Sequence, residues 1–324
     1  MRVLRLLITE RLEDRELLET LGKFFVVTEG DFEREEVLAR VQDADALWVK
    51  LRHRIDREWM ESAPALKWIA TPTTGLNHID VEEAHRRGIE IVSLRDEVEF
   101  LRNIRATAEL TVALTLALLR KLPEAVSHVR SAKWDRDLFR GTELYGKTCG
   151  IVGMGRLGSI VARYMQGLGM AVIACDPHPL ETPANVALVS LREVAERSDV
   201  ISVHASYEPA THGLLNREFF DHVRTGAVLV NTARGEIIDE PALIAALESR
   251  LLAGAAVDVV CDEHRMPGSP GALVAYARTH TNVLITPHIG GNTEESRRKT
   301  DRFLAEKLIA KCEHAKVASS SQEG

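Results

Sequence analysis

The stretch from Thr148 to Asp176 constrains the fold of this chain more than any other. An apolar run, Thr148-Cys149-Gly150-Ile151-Val152, leads into Gly153-Met154-Gly155-Arg156-Leu157-Gly158. A helix-like run from Ser159 to Leu168 and a second apolar run, Met170 to Cys175, follow, and Asp176 ends the unit. Glycines at this spacing say little alone, because glycine marks many turns; framed by strand, helix, strand and acid, they specify a dinucleotide-binding turn. Gly153 permits a tight turn, Gly155 lets backbone approach a pyrophosphate, and Gly158 lets the helix pack close to the strand. The helix N-terminus offers N–H groups and a positive dipole end to phosphates. Asp176 lies where a carboxylate accepts from adenosine ribose hydroxyls, and its charge opposes a 2′-phosphate, so NAD is expected over NADP.

A chain of 324 residues exceeds a typical single core and suits two domains. A formal net charge of −7 gives no electrostatic case for nucleic acid or an anionic membrane. Cys149, Cys175, Cys261 and Cys312 are widely spaced and form no disulfide or metal-ligand pattern, so no metal is expected. The segment Met1 to Thr9 has neither the apolar length nor the cleavage site of a secretion signal, and a reducing, cytoplasmic setting is expected.

Strands at Leu4–Thr9, Phe24–Thr28, Ala46–Val49, Leu66–Ala70 and Ile89–Val92 alternate with helices at Asp14–Leu21, Glu33–Val41, Ile55–Ser62 and Asp80–Arg87. Ala106 to Leu119 breaks the rhythm as a helix apolar on most faces, the mark of a buried element or an interface between domains or subunits. The alternation restarts at Thr148, with strands at Ile151, Val172, Val200, Val228, Ala255 and Val283. Glu294 to Cys312 reads as a final helix returning to the first domain. The expected fold class is α/β: two Rossmann-like domains, each a parallel sheet flanked by helices, with an active-site cleft between them. The first comprises 1–104 plus 292–312, the second 105–291, and 313–324 is expected to be a disordered tail.

Three further motifs sit at expected strand ends: Asn231-Thr232-Ala233-Arg234-Gly235, Asp258-Val259-Val260-Cys261-Asp262-Glu263, and Thr286-Pro287-His288-Ile289-Gly290. In this order, after the glycine turn and its acid, the set resembles the D-isomer-specific 2-hydroxyacid dehydrogenases, from about Leu4 to Cys312. The resemblance implies an enzyme moving hydride between the nicotinamide of NAD and C2 of a 2-hydroxy or 2-keto acid. Arg234 matches the arginine that grips the substrate carboxylate, as a planar guanidinium can. His288 matches the general acid/base, and Glu263 the carboxylate that pairs with it, favouring the imidazolium and holding the ring. Asp258 matches the acid that binds the nicotinamide carboxamide. Gly153, Gly155, Arg156, Leu157, Gly158, Asp176, Pro177, Thr232, Ala233 and Gly290 are expected on the cofactor, with His204 structural or cofactor-facing.

In the first domain, Thr73-Thr74-Gly75-Leu76-Asn77-His78 resembles the family's substrate loop, with Thr73 in place of its first glycine. The backbone N–H groups of Thr74 and Gly75 would then meet the substrate carboxylate. Val260, His264 and the loop His204-Ala205-Ser206-Tyr207-Glu208-Pro209 depart from the family pattern. Ser93 to Arg105 is longer than the family's connection and carries Arg95, Arg102 and Arg105; with Lys50 and Arg52 these are expected to face the cleft and bind a second anion, whether phosphate, phosphonate or carboxylate. Family members pair through the segment matching Ala106–Leu119, so a homodimer is expected. Two alternatives stay open at this point: phosphite dehydrogenase-like oxidation, and an NAD(H)-sensing corepressor-type binding protein.

Overall fold

A computed structural model describes residues 3–263, 268–269 and 271–320, the last six in backbone alone. The chain forms two compact units, residues 1–101 with 294–324, and residues 102–293. Each is a parallel sheet flanked by helices.

The first sheet contains β1 (Leu4–Ile8), β2 (Phe25–Glu29), β3 (Ala46–Trp48), β4 (Trp68–Ala70) and β5 (Glu90–Val92), in the order β2-β1-β3-β4-β5. All four pairings are parallel. Successive strand residues serve opposite faces, as the pleat requires. Leu6, Ile8 and Trp48 pack with Leu304, Ala305, Leu308 and Cys312 of the C-terminal helix, whereas Leu7, Leu47 and Ile69 pack with Ile55, Trp59 and Met60. Both faces are buried, which is why these strands read as continuous apolar runs rather than alternating ones.

The second sheet contains β6 (Thr148–Val152), β7 (Ala171–Cys175), β8 (Val186–Leu188), β9 (Val200–Val203), β10 (Ala227–Asn231), β11 (Leu252–Val257) and β12 (Val283–Ile285), in the order β12-β11-β10-β9-β6-β7-β8. Ala227 and Leu229 face Phe219, Phe220 and Leu243, while Val228 and Val230 face Ala108, Leu114 and the helix Arg156–Gly167. The expected helix forms at Ala106–Leu119 and buries Ala106, Ala108, Thr111, Leu114 and Thr115 in that second face.

Besides the unexpected edge strand β8, three features depart from the sequence reading. Leu122–Arg130 forms a helix behind Lys121, which takes a φ of 51°. Its Pro123 sits in the first turn, where the missing N–H costs nothing. Residues 93–105 are not all loop: Val98–Leu101 is helical, and Phe100 stacks on Phe303 with ring centroids 3.9 Å apart. Lys307 donates to Ser93 O at 2.8 Å and pairs with Glu97, tying this segment to the C-terminal helix of its own unit. That helix, Glu294–Ser320, includes residues 313–320, where an aperiodic tail was expected. Once Leu304 to Cys312 dock it, each further turn adds hydrogen bonds without a new nucleation cost. Residues 321–324 lie outside the described part. Among the described residues, no helix is long and apolar enough to cross a membrane.

Candidate active site

The strand order of the second sheet reverses between β6 and β9, and ligands of open parallel sheets bind beyond the carboxyl ends of such strands. The glycine turn leaves β6 there, and each glycine has its own reason. Gly153 has a φ of +96°, and a Cβ on it would lie 2.4 Å from Ala205 N. A Cβ on Gly158 would lie 2.1 Å from Gly153 O, so only glycine lets the helix sit this close to the strand. A Cβ on Gly155 would meet nothing within 4 Å, so the protein itself does not demand glycine. The space beside Gly155, at the start of Arg156–Gly167, fits a pyrophosphate against backbone N–H groups.

Asp176 follows β7, and its carboxylate accepts from Met154 N at 2.6 Å and His178 N at 2.7 Å. It therefore braces the glycine turn. The Arg156 guanidinium donates to Ile104 O at 2.8 Å, Leu157 packs against the apolar core, and Pro177 is exposed. His204, at the end of β9, touches the glycine turn through its backbone. Its Nε2 lies 2.7 Å from Ser202 Oγ, and its buried Nδ1 has no partner among the described residues. Burial pulls the ring's pKa down to about 4, so it is neutral at ordinary pH.

The next strand ends carry the expected trio. After β10, Asn231 folds the chain back: its Nδ2 donates to Arg234 O at 2.8 Å and its Oδ1 accepts from Ala233 N at 2.9 Å. A Cβ on Gly235 would lie 2.1 Å from Val260 C, so this glycine lets the turn press against the segment after β11. The half-buried Arg234 guanidinium feels Glu263 and Glu236; desolvation pulls its pKa down, and the two carboxylates counter that pull. Thr232 Oγ1 lies 2.8 Å from Thr111 Oγ1 of helix Ala106–Leu119, a partner with no motif to announce it.

After β12, His288 takes a φ of 51°, a costly conformation for a residue with a side chain. Its N–H donates to Asp258 O and Thr286 O, both at 2.9 Å. The Asp258 carboxylate accepts from Thr286 Oγ1 at 2.5 Å, Ile289 N at 2.9 Å and Gly290 N at 2.7 Å. Asp258 thus clamps the loop that carries His288, a role its resemblance alone did not imply. Thr286, two residues before the histidine, is a further member that the sequence reading missed. His288 Nδ1 donates to Glu263 Oε1 at 2.6 Å, which leaves Nε2 for another partner.

In the first unit, Thr73 has no positive φ, which is why a β-branched residue can replace glycine there. Its Oγ1 donates to Gly75 O at 2.8 Å and lies 3.0 Å from Thr71 Oγ1. The N–H groups of Thr74 and Gly75 donate to nothing among the described residues. Lys50 is paired with Asp301 at 3.4 Å, Arg52 with Glu33, and Arg95, Arg102 and Arg105 are exposed. His264 lies outside the described residues.

Comparisons with known proteins agree with this geometry. Residues 112–290 match the family described as D-isomer specific 2-hydroxyacid dehydrogenase, NAD binding domain. The chain is 35% identical over 312 residues to D-3-phosphoglycerate dehydrogenase of Methanocaldococcus jannaschii, covering 94% of this chain and 57% of that protein. It thus spans little more than half the length of that relative. The crystal structure of TT0316 protein from Thermus thermophilus is 35% identical, with a TM-score of 0.82 over 95% of this chain and 96% of that one. D-lactate dehydrogenase from Aquifex aeolicus, solved with NAD and lactic acid, is 26% identical, with a TM-score of 0.82 over 95% of each chain. The match over residues 112–290 covers more than half of the chain, and the chain belongs to the D-isomer specific 2-hydroxyacid dehydrogenase family, its second unit carrying the NAD-binding domain.

Proposed function

We propose that the chain is an NAD-dependent oxidoreductase acting at C2 of a small 2-hydroxy or 2-keto acid. The observation that carries this reading is the 2.6 Å contact between His288 Nδ1 and Glu263, with Arg234 in the adjoining turn. NAD, when bound, supplies the hydride chemistry. Arg234 grips the substrate carboxylate and fixes which face of C2 is presented. His288 Nε2 gives a proton to the C2 oxygen on reduction and takes it back on oxidation. Glu263 keeps Nδ1 protonated throughout, so Nε2 alone changes state. The Asp258 clamp holds the imidazole at its strained position, and Asp258 and Gly290 are placed for the carboxamide.

The test is oxidation of NADH at 340 nm with glyoxylate, hydroxypyruvate, phosphohydroxypyruvate, phosphonopyruvate and 2-ketoglutarate. Turnover of any of them by the wild type, lost in His288→Ala, supports the reading. A folded protein that binds NADH and reduces none of them sinks it.

The same reading includes a homodimer formed through the second unit. Around helix Leu122–Arg130, Trp134 is 89% exposed and Tyr145 80%, and Leu122, Val126, Val129 and Leu138 are exposed beside them. Exposed apolar side chains of this size are what a subunit interface would cover. Light scattering on wild type and Val126→Asp tests it: a monomeric wild type is the contrary result. All four cysteines are unpaired, which fits the cytoplasmic setting included in this reading.

A further inference from the structure

Glu263 can serve His288 only if the loop after β11 is held still, and the backbone on both sides of their contact is strained. Asp262, next to Glu263, has a φ of 53°, and His288 has a φ of 51°. Such conformations persist where the surrounding structure over-determines them. The loop of His288 has its clamp in Asp258. The loop of Glu263 has a counterpart: Cys261 N–H donates to Glu240 Oε1 at 2.8 Å. Glu240 opens the helix Glu240–Glu248 behind its N-cap Asp239, and it is only 9% exposed. A glutamate is seldom buried so deeply without a partner, and in the first turn of a helix the dipole favours its charge. Two more contacts join the same segments. A Cβ on Gly235 would lie 2.4 Å from Cys261 N, and Cys261 Sγ lies 3.9 Å from Ile238 O. The Cys261 thiol is not itself a reactive group: desolvation, with the charges of Glu240 and Glu236 adding to it, pushes its pKa up to about 12.

We propose that Glu240 is a positioning residue for the acid/base pair: by holding Cys261 N–H it fixes the loop after β11, so that Glu263 stays on His288 Nδ1. The inference rests on the oxidoreductase reading above and adds to it a residue that acts through another. Every group it invokes belongs to the second unit. The imidazole has to present Nε2 in one orientation, and a displacement of about 1 Å at the reacting groups costs on the order of 10²-fold in rate. A glutamine at position 240 keeps an oxygen for Cys261 N–H. Alanine removes it and leaves that N–H without its acceptor. Aspartate keeps the charge at the helix start but draws it back by one methylene. Nothing near Glu263 in the sequence announces the tie, because Glu240 lies 21 positions away.

The experiment has two arms on the full chain. The first measures kcat and KM with NADH and whichever acid of the panel the wild type reduces. Glu240→Ala should lower kcat by about tenfold or more with KM for NADH nearly unchanged, and Glu240→Gln should stay within about threefold of wild type. Placed on Glu263→Gln, Glu240→Ala should cost less than about threefold further, because the two residues act as one unit. Losses that simply multiply overturn the proposal, and so does an alanine variant as active as the wild type. Glu240→Asp takes the place of Glu240→Ala if the latter fails to fold. The second arm needs no turnover: proton NMR of the downfield His288 Nδ1–H resonance, assigned by its loss in His288→Gln. It should be present in wild type and Glu240→Gln and lost or broadened in the alanine or aspartate variant. A resonance missing from the wild type, or unchanged in the variant, overturns the proposal. If the wild type reduces no acid while the resonance behaves as expected, the oxidoreductase reading falls and the positioning of His288 by Glu240 stands.

Discussion

The two sheets end in rims of opposite character. At the second rim nearly every polar group is spoken for: Asp258 accepts three hydrogen bonds, Asn231 makes two, and His288 is held by backbone and by Glu263. Its Gly158 and Gly235 are forced by contacts as short as 2.1 Å. At the first rim, Lys50 makes one long contact, and Asp301 and Glu10 keep buried oxygens without donors. A saturated rim is built to hold reacting groups in one geometry. The contrast makes the second rim the more sensitive of the two to substitution.

The largest effect that could break this contrast is His288→Ala. It should lower kcat/KM by about 10²–10⁴, the usual worth of a positioned acid/base, with NADH affinity nearly unchanged by fluorescence titration. A loss of less than tenfold would mean that the second rim is not the chemical one.

Gly158→Ala comes next. The added methyl would sit against Gly153 O and should cost about 3 kcal/mol by denaturant unfolding, as overpacking against backbone does. An undisturbed melting curve would show that the turn can relax.

The pH dependence of stability follows in size. His204 has its pKa pulled from 6.5 down to about 4, so between those values the unfolded chain binds the proton more readily. Its contribution is complete above pH 6.5 and is lost as pH falls toward 4, on the order of 2 kcal/mol after solvent screening. Unfolding of wild type and His204→Asn at several pH values should give curves that converge on acidification; parallel curves would remove His204 from the account.

The smallest expected effect sharpens the comparison most. Lys50→Met alone strands Asp301 and should destabilise the protein, whereas Lys50→Met with Asp301→Leu should lie within about 1 kcal/mol of wild type, because a buried pair replaced by apolar groups is often neutral. A double variant as unstable as the single one would make the first rim a structural element.

Much of this protein follows from local pattern. The apolar runs mark the strands, and the spacing of Gly153, Gly155 and Gly158 with Asp176 specifies the cofactor turn because the constraints are steric and act within one βαβ unit. Arg234, Glu263 and His288 stand out because each lies just past the end of a strand. Weak local signals hid other elements: the helix Leu122–Arg130 starts from a left-handed Lys121, β8 is a partly exposed edge strand, and residues 313–320 are helical only as an extension of a docked helix.

What tertiary structure alone decided are the pairings across distance. Thr111 with Thr232, Thr286 with Asp258, and Lys50 with Asp301 join residues whose neighbours carry no shared period or motif. Periodicity reports which face of an element is buried; it does not report which polar group from another element arrives at that face. The sequence by itself therefore determined two parallel sheets, a dinucleotide turn and a set of polar residues at the strand ends. Only the fold decided that Asp258 would clamp the histidine's loop, and that Asp301 would take the charge of Lys50.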